Sequence, residues 1–197
     1  ESDSRTRAFF KIQDGCDYKC TYCTIPLARG NSRSPFINEL KGQFVSIINN
    51  GYKEIILTGV NVGEFKDPEG NNFYSALKEI VSTEGDFRLR ISSIEPNLVS
   101  EKIIELIAVS DKICKHLHIP LQSGSNKILS LMKRRYRREV FEKLILTLDK
   151  IVPDIGLGID VIAGFPGESE ADFLDTYNFI KDLPISYLHA FTYSERE

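Results

Sequence analysis

Six short apolar runs recur along the chain, each followed by a longer stretch in which apolar residues return every three or four positions. The runs are Ala8–Ile12, Glu54–Thr58, Arg88–Glu95, His116–Leu121, Leu157–Ile162 and Tyr187–Tyr193. None alternates strictly between apolar and polar, as expected for strands of a parallel sheet covered by helices on its faces. The intervening stretches read as helices. One begins at Ser34-Pro35, with serine as N-cap and proline at the first helical position, and ends at Asn49-Asn50-Gly51, where glycine closes it. Others are expected over about 73–83, 100–109, 124–133, 137–151 and 169–182. Strands alternating with helices define an α/β fold. The pattern alone leaves a doubly wound open sheet and a curved, barrel-like sheet both open.

Composition adds limits. A chain of 197 residues, 42% hydrophobic and 27% charged, is an ordinary folded domain with enough apolar material for one sizeable core. No apolar run approaches the roughly 20 residues of a membrane span. The first residues, Glu1–Arg7, are polar and unlike a secretory signal, so the expected setting is cytoplasmic and reducing. A net charge of −3 gives no field that would draw nucleic acid to the whole surface. The basic run Lys133-Arg134-Arg135-Tyr136-Arg137-Arg138 is a local exception, read as a solvated helix end rather than a phosphate track.

The chemistry starts with cysteine. Three of the four cysteines stand at Cys16-x3-Cys20-x2-Cys23, directly after the first strand. They are too close together to pair as disulfide staples, and suit reduced thiolates around an iron–sulfur core. A 4Fe–4S cluster held by three thiolates leaves one iron without a protein ligand, free to bind a small molecule. The alternative is a Cys3His zinc site, which lacks a nearby fourth ligand because the histidines are His116, His118 and His189. Cys114, remote in sequence, reads as a small buried thiol.

In α/β folds the segments just beyond the strands share one rim. Here they are polar and glycine-rich: Thr58–Glu64, Ser92–Pro96, Gln122–Ser125, and Asp160 with Gly164–Glu168. Each has a plain reading. Gly59 and Gly63 would permit positive φ, Ser100 and Ser169 would cap helices (Ser169 with Asp172 as a capping box), Glu95 would be a surface residue and Asp160 a satisfied core carboxylate. Together, on the rim that carries the cysteine loop, they make a polar site for a multifunctional ligand.

The cysteine spacing, with Tyr22 just before the third thiol, resembles the signature of radical S-adenosylmethionine (SAM) enzymes. Lys11–Cys16, Ile25–Gly30 with Ser32–Ser34, Leu117–Ser125 and Gly164–Glu168 further resemble the methylthiotransferases of that family. Lys11–Gly15 and Leu57–Asn61 look most like the branch acting on N6-threonylcarbamoyladenosine beside the tRNA anticodon. The resemblance implies a six-stranded partial (β/α)6 barrel of TIM-like form, a 4Fe–4S cluster on Cys16, Cys20 and Cys23, and SAM on its open iron. It implies contacts to SAM near Tyr22, with Thr58, Gly59 and Asn61 around the methionyl amino group. Glu95, Gln122 and Asp160 would supply further polar contacts, and Arg134 would pair with the methionyl carboxylate. Members of this family also carry an N-terminal domain with a second 4Fe–4S cluster and a C-terminal RNA-binding barrel, so residues 1–197 are expected to be the central core of a longer protein. The implied partners are tRNA and a reductant protein such as flavodoxin or ferredoxin. Alternatives within the family act on isopentenyladenosine in tRNA or on a ribosomal-protein aspartate; outside it stands a non-catalytic iron–sulfur or zinc module.

Overall fold

Every pair of neighbouring strands in the two sheets of the protein runs parallel. The computed structural model describes residues 6–195; the beginning of the polar segment expected not to be a signal lies outside them. The strands are β1 (Arg7–Lys11), β2 (Glu54–Thr58), β3 (Arg88–Ile91), β4 (His116–His118), β5 (Gly156–Ala163) and β6 (Tyr187–Thr192). They form two three-stranded sheets, ordered β1-β2-β3 and β4-β5-β6, in sequence order and all parallel. Two isolated parallel bridges, Leu89 to Ile113 and Ser93 to His118, join β3 to the segment leading through β4. This seam explains why the third strand stops before the expected Glu95. Ser92 N still donates to Leu57 O of β2 (3.1 Å), but Ile94 N donates to His118 O of β4 (3.0 Å). The backbone changes partner there and cannot stay in one ladder. The fourth strand stops short of Leu121 at Ile119-Pro120, where proline has no N–H to give.

The helices are α1 (Ile25–Arg29), α2 (Ile37–Asn49), α3 (Phe73–Val81), α4 (Glu101–Val109), α5 (Asn126–Leu131), α6 (Arg138–Ile151) and α7 (Glu170–Lys181). Their apolar positions face the sheets at helical spacing: Leu40 and Phe44 on α2, Phe141, Leu144, Ile145 and Leu148 on α6. Each such side chain contributes about 1.5–3 kcal/mol by leaving water. These residues belong to one continuous buried cluster that extends from Phe10 to Leu183.

Helix ends correct some expectations. The predicted Ser34-Pro35 cap is not formed: α2 starts at Ile37, whose N–H is met by Asp67 Oδ2 at 3.4 Å, while Ser34 Oγ accepts from Lys66 N at 3.3 Å. Gly51 closes that helix as expected, at φ +87°. Ser100 makes no side-chain cap bond. Ser169 and Asp172 do form the expected capping box at α7. No helix among the described residues is long and apolar enough to cross a membrane.

Candidate functional site

The cysteines lie on a closed loop. Asp14 and Arg33 exchange backbone bonds (Asp14 N to Arg33 O, 3.0 Å; Arg33 N to Asp14 O, 2.8 Å), and Cys16 N donates to Gly30 O at 3.1 Å. Gly15 permits the turn at φ +70°; a Cβ there would lie 2.0 Å from Asn31 O. The buried side chain of Gln13 clamps the loop from inside, its Nε2 donating to Gly15 O (2.7 Å) and Ser32 Oγ (2.9 Å) while Oε1 accepts from Asn61 N (2.9 Å). One side chain therefore fixes the loop to the end of β2.

Cys20 is buried and Cys16 and Cys23 are half-buried. Burial pushes the Cys16 thiol up to about 12, with the Tyr18 N–H drawing it back and Glu64 adding to the rise. Burial also raises Cys20, against the pull of Arg134. Among the described residues only His118, Asp160 and His189 form a His, Cys, Asp or Glu group with all ligand atoms within 4.8 Å of one another. The three histidines lie on β4 and β6, in the other sheet from the strand that leads into the cysteine loop, so the donor set of the loop is three free thiols. Thiolates alone suit an iron–sulfur cluster.

Arg134 is the hub that brings expected residues together. Its buried guanidinium donates to Cys20 Sγ (3.3 Å), the Tyr22 hydroxyl (3.2 Å) and the Tyr136 hydroxyl (3.3 Å), and forms an ion pair with Glu95. Burial works against its charge, but Tyr136, Glu95 and Tyr22 outweigh it and hold the guanidinium charged. Burial raises Glu95, opposed by Arg134. Glu95 is thus a buried partner, not the surface residue that its plain reading gave. Tyr136 carries the network to the end of β4, donating to the carbonyls of Pro120 (2.8 Å) and Leu121 (2.9 Å).

In the rest of the basic run Lys133, Arg135 and Arg137 are exposed between two helices, as the reading of a solvated helix end expects, while two of its arginines also make contacts to the fold. Arg135 stacks 3.9 Å above the Tyr18 ring and donates to Asp17 O at 2.6 Å, and Arg138 reaches Gly124 O at 3.3 Å.

Tyr22, Gln122 and Asp160 line one cleft of about 330 Å³, together with Ile162, Phe191 and Tyr193. Tyr22 packs edge-on against Phe165 with ring centroids 6.3 Å apart. Gln122 adopts φ +67°, a strained setting for a residue with a Cβ. Thr58, Gly59 and Asn61 do not line this cleft. They stand at the end of β2, where Gln13 ties Asn61. Asn61 is 4% exposed, and neither its Oδ1 nor its Nδ2 has a hydrogen-bond partner. Gly59 and Gly63 do not adopt positive φ, contrary to their plain reading. They allow close approach instead: a Cβ on Gly59 would lie 2.9 Å from Gln13 Oε1, and one on Gly63 2.7 Å from Leu98 Cβ. Cys114 is half-buried, less enclosed than expected, beside the seam where its N–H donates to Leu89 O at 2.9 Å.

Asp160 is held by two histidines, which the cysteine spacing brings into the sequence reading only as distant candidates for a zinc ligand. Its Oδ2 lies 2.9 Å from His118 Nε2 and its Oδ1 3.2 Å from His189 Nδ1. The signal available in the sequence was His116-x-His118, two histidines on one face of a strand. Gln13 is legible in the sequence as part of the Lys11–Gly15 motif, but nothing there assigns it the clamp.

A parallel α/β scaffold with a three-thiol loop at the first strand end, a charged hub behind it and an orphaned buried amide beside it defines a cofactor-binding enzyme core. Comparison with known proteins narrows the class: the sequence model of the Radical SAM superfamily matches residues 10–180, and the chain belongs to that superfamily. It is 47% identical over 194 residues, 98% of this chain, to the threonylcarbamoyladenosine tRNA methylthiotransferase MtaB of Bacillus subtilis (strain 168), covering 43% of that protein. It is 39% identical, over 97% of this chain and 43% of the relative, to the tRNA-2-methylthio-N(6)-dimethylallyladenosine synthase of Clostridium botulinum (strain Hall). The chain thus spans less than half the length of these relatives. Among solved structures, the radical SAM methyltransferase TsrM from Kitasatospora setae superposes with TM-score 0.78 at 16% identity, over 94% of this chain and 35% of that one. Coproporphyrinogen III oxidase (HemN) from Escherichia coli gives 0.66 at 15% identity, over 96% of this chain and 44% of that one. These two likenesses bear on the fold alone.

Proposed function

We propose that this chain is the cluster- and SAM-binding core of a tRNA methylthiotransferase acting on N6-threonylcarbamoyladenosine. The observation that carries the binding site is Asn61, a side chain buried with both polar atoms unpartnered beside a loop of three free thiols. A buried amide left unsatisfied costs about 1–3 kcal/mol, which a polar ligand at that place offsets. The substrate rests on the similarity to MtaB proteins along nearly the whole chain.

Cys16, Cys20 and Cys23 would hold a 4Fe–4S cluster, and the end of β2, with Thr58, Gly59 and Asn61, would take the amino-acid end of SAM. When bound, the pair supplies one-electron reductive cleavage of the SAM sulfonium, the chemistry that opens an unactivated C–H bond. The chain's own residues position and insulate that chemistry. Arg134 donates to Cys20 Sγ, and a hydrogen bond to a ligating sulfur stabilises its thiolate and tunes a cluster's potential. Its link to Glu95 fixes the guanidinium plane and leaves one N–H of Nη2 for a ligand carboxylate. Tyr22 against Phe165 screens the loop from water, and Gln122 and Asp160 present polar groups to the cleft. The bridges across the β3–β4 seam support a partial (β/α)6 barrel in which all six strand ends open on this site. The whole protein would add a second 4Fe–4S cluster, RNA-binding surface and an electron donor such as flavodoxin or ferredoxin, in the cytoplasm where tRNA is modified.

Two measurements test the reading. Anaerobic reconstitution followed by EPR is expected to show a reduced cluster whose spectrum changes on adding SAM; an unchanged spectrum refutes the open-iron site. Nucleoside analysis of tRNA from a strain lacking the full-length protein is expected to show loss of methylthiolated threonylcarbamoyladenosine. Loss of the dimethylallyladenosine derivative instead would move the substrate to the other branch.

A further inference from the structure

β4, β5 and β6 place a second set of ligand-type side chains on one face of the sheet. Asp160 of β5 pairs in register with His189 of β6, and His118 of β4 with Gly158 of β5, so the three side chains share that face. His118 Nε2 and His189 Nδ1 lie 2.9 Å and 3.2 Å from the two oxygens of the Asp160 carboxylate. We propose that His118, Asp160 and His189 form a binding site for a divalent transition-metal ion of the zinc or iron(II) type, distinct from the three-cysteine loop.

The spacing suits one ion. Ligand atoms at metal distances of about 2.0–2.1 Å stand roughly 2.9–3.4 Å apart in octahedral or tetrahedral geometry. The two histidine–carboxylate spacings, 2.9 Å and 3.2 Å, fall in that range, and one ligand atom from each residue lies within 4.8 Å of the other two. Two imidazoles and one carboxylate are the donor set that zinc and non-haem iron sites use, and they leave further positions open. His118 and Asp160 are mostly buried, at 12% and 21% exposure, while the His189 side chain is 56% exposed and marks the entry path.

The surroundings carry the inference beyond a chance triad. A ligating histidine normally has its second ring nitrogen held by a hydrogen bond that fixes ring orientation. His118 Nδ1 lies 3.2 Å from the Tyr187 hydroxyl, which lies 2.9 Å from His116 Nε2. Tyr187 reaches both histidines because β5 has glycine beneath it: a Cβ on Gly158 would lie 2.0 Å from Tyr187 Cζ. The relay can run in either direction. With His118 Nε2 protonated toward Asp160, Nδ1 accepts from the tyrosine hydroxyl, which accepts from His116. With a cation on Nε2 that proton is displaced, Nδ1–H donates to the hydroxyl, and the hydroxyl donates to His116 Nε2. The scaffold therefore satisfies the second nitrogen of His118 in both states. The inference stands independently of the SAM reading and gives Asp160 a role other than contact with that cofactor.

The test removes the competing thiols. The full chain carrying Cys16→Ser, Cys20→Ser and Cys23→Ser is dialysed against Zn2+ alone, and against Co2+ alone, whose visible absorption reports its ligands. One equivalent retained, with a Co2+ spectrum of nitrogen and oxygen ligation, is expected. Adding His189→Gln, at the exposed ligand least tied to the fold, should abolish retention and the Zn2+-induced rise in Tm. Tyr187→Phe should weaken binding by about 10–100-fold while leaving the stoichiometry at one. Retention of no ion, leaving a hydrogen-bonded triad only, or retention unchanged by His189→Gln, overturns the site. Because the cluster thiols are absent from every sample, either result leaves the SAM reading where it was.

Discussion

The Arg134 guanidinium donates to Cys20 Sγ across 3.3 Å and 114 residues of sequence, so the cysteine loop is oriented by a charge delivered from beyond α5. That charge is buried with Glu95, at 3% and 12% side-chain exposure. Removing one member of a buried pair leaves the other uncompensated, at a cost of about 3–5 kcal/mol. Arg134→Ala should therefore lower the unfolding free energy by about that amount in urea titration, and Glu95→Gln by less, since the neutral amide still accepts a hydrogen bond. A loss under 1 kcal/mol for Arg134→Ala would show that the pair does not hold the loop.

Two glycines on that loop separate backbone strain from crowding. Gly30 adopts φ +75° with nothing within 4 Å of its missing Cβ, whereas Gly15 adopts φ +70° with a carbonyl 2.0 Å away. Gly30→Ala should cost about 1–2 kcal/mol, the left-handed penalty of a residue with a Cβ. Gly15→Ala adds overpacking of about 1–3 kcal/mol that no side-chain rotation relieves. Equal losses in thermal unfolding would mean that the loop yields at Asn31.

How far the sequence carried the reading depends on where the partners lie. The six strands were legible because apolar runs bounded by turn residues are local signals. The capping box at Ser169 was legible because both members lie within one turn. The start of α2 was not: its N–H partner Asp67 comes from 30 residues away. Helix α1, five residues with none buried, leaves no periodicity to read. At the site, the cysteines, Tyr22 and Arg134 were visible as motif positions. The burial of Arg134 was not, because Glu95, 39 residues away in sequence, is what makes it tolerable.

Asp172 gives the fold a pH dependence. Its carboxylate is held below the ordinary range by hydrogen bonds from Lys127, from the Ser169 side chain and backbone, and from Ser125. A group whose folded pKa is depressed contributes stability that is present above its unfolded value and lost as pH falls through the folded one. The Tm advantage of the parent over Asp172→Asn should therefore be full at pH 7 and shrink progressively below about pH 4. A difference constant from pH 7 to pH 2 would assign the contribution to packing instead.

The cluster ligands make a prediction that sorts the four thiols. Cys16→Ala, Cys20→Ala and Cys23→Ala should each abolish the 4Fe–4S EPR signal and lower the bound iron and sulfide after anaerobic reconstitution. Cys114→Ala should leave all three measurements unchanged. Loss of cluster in the Cys114 variant would bring the fourth thiol into the ligand set and close the iron that the proposed function requires to be open.

Asn61 offers the sharpest test, because stability and binding should move in opposite directions. Its side-chain oxygen and nitrogen are buried and unpartnered. Leucine has nearly the same shape without the polar atoms, so Asn61→Leu removes an unsatisfied group worth about 1–3 kcal/mol and leaves the packing intact. The ligand-free variant should be as stable as the parent or more so. If the amide is kept because SAM satisfies it, the same change should reduce the rise in Tm that SAM produces in the reconstituted protein. A residue with a purely structural role would behave otherwise: the variant would lose stability without SAM and keep the full SAM-dependent rise. Thermal unfolding of parent and variant, each with and without SAM, decides between the two.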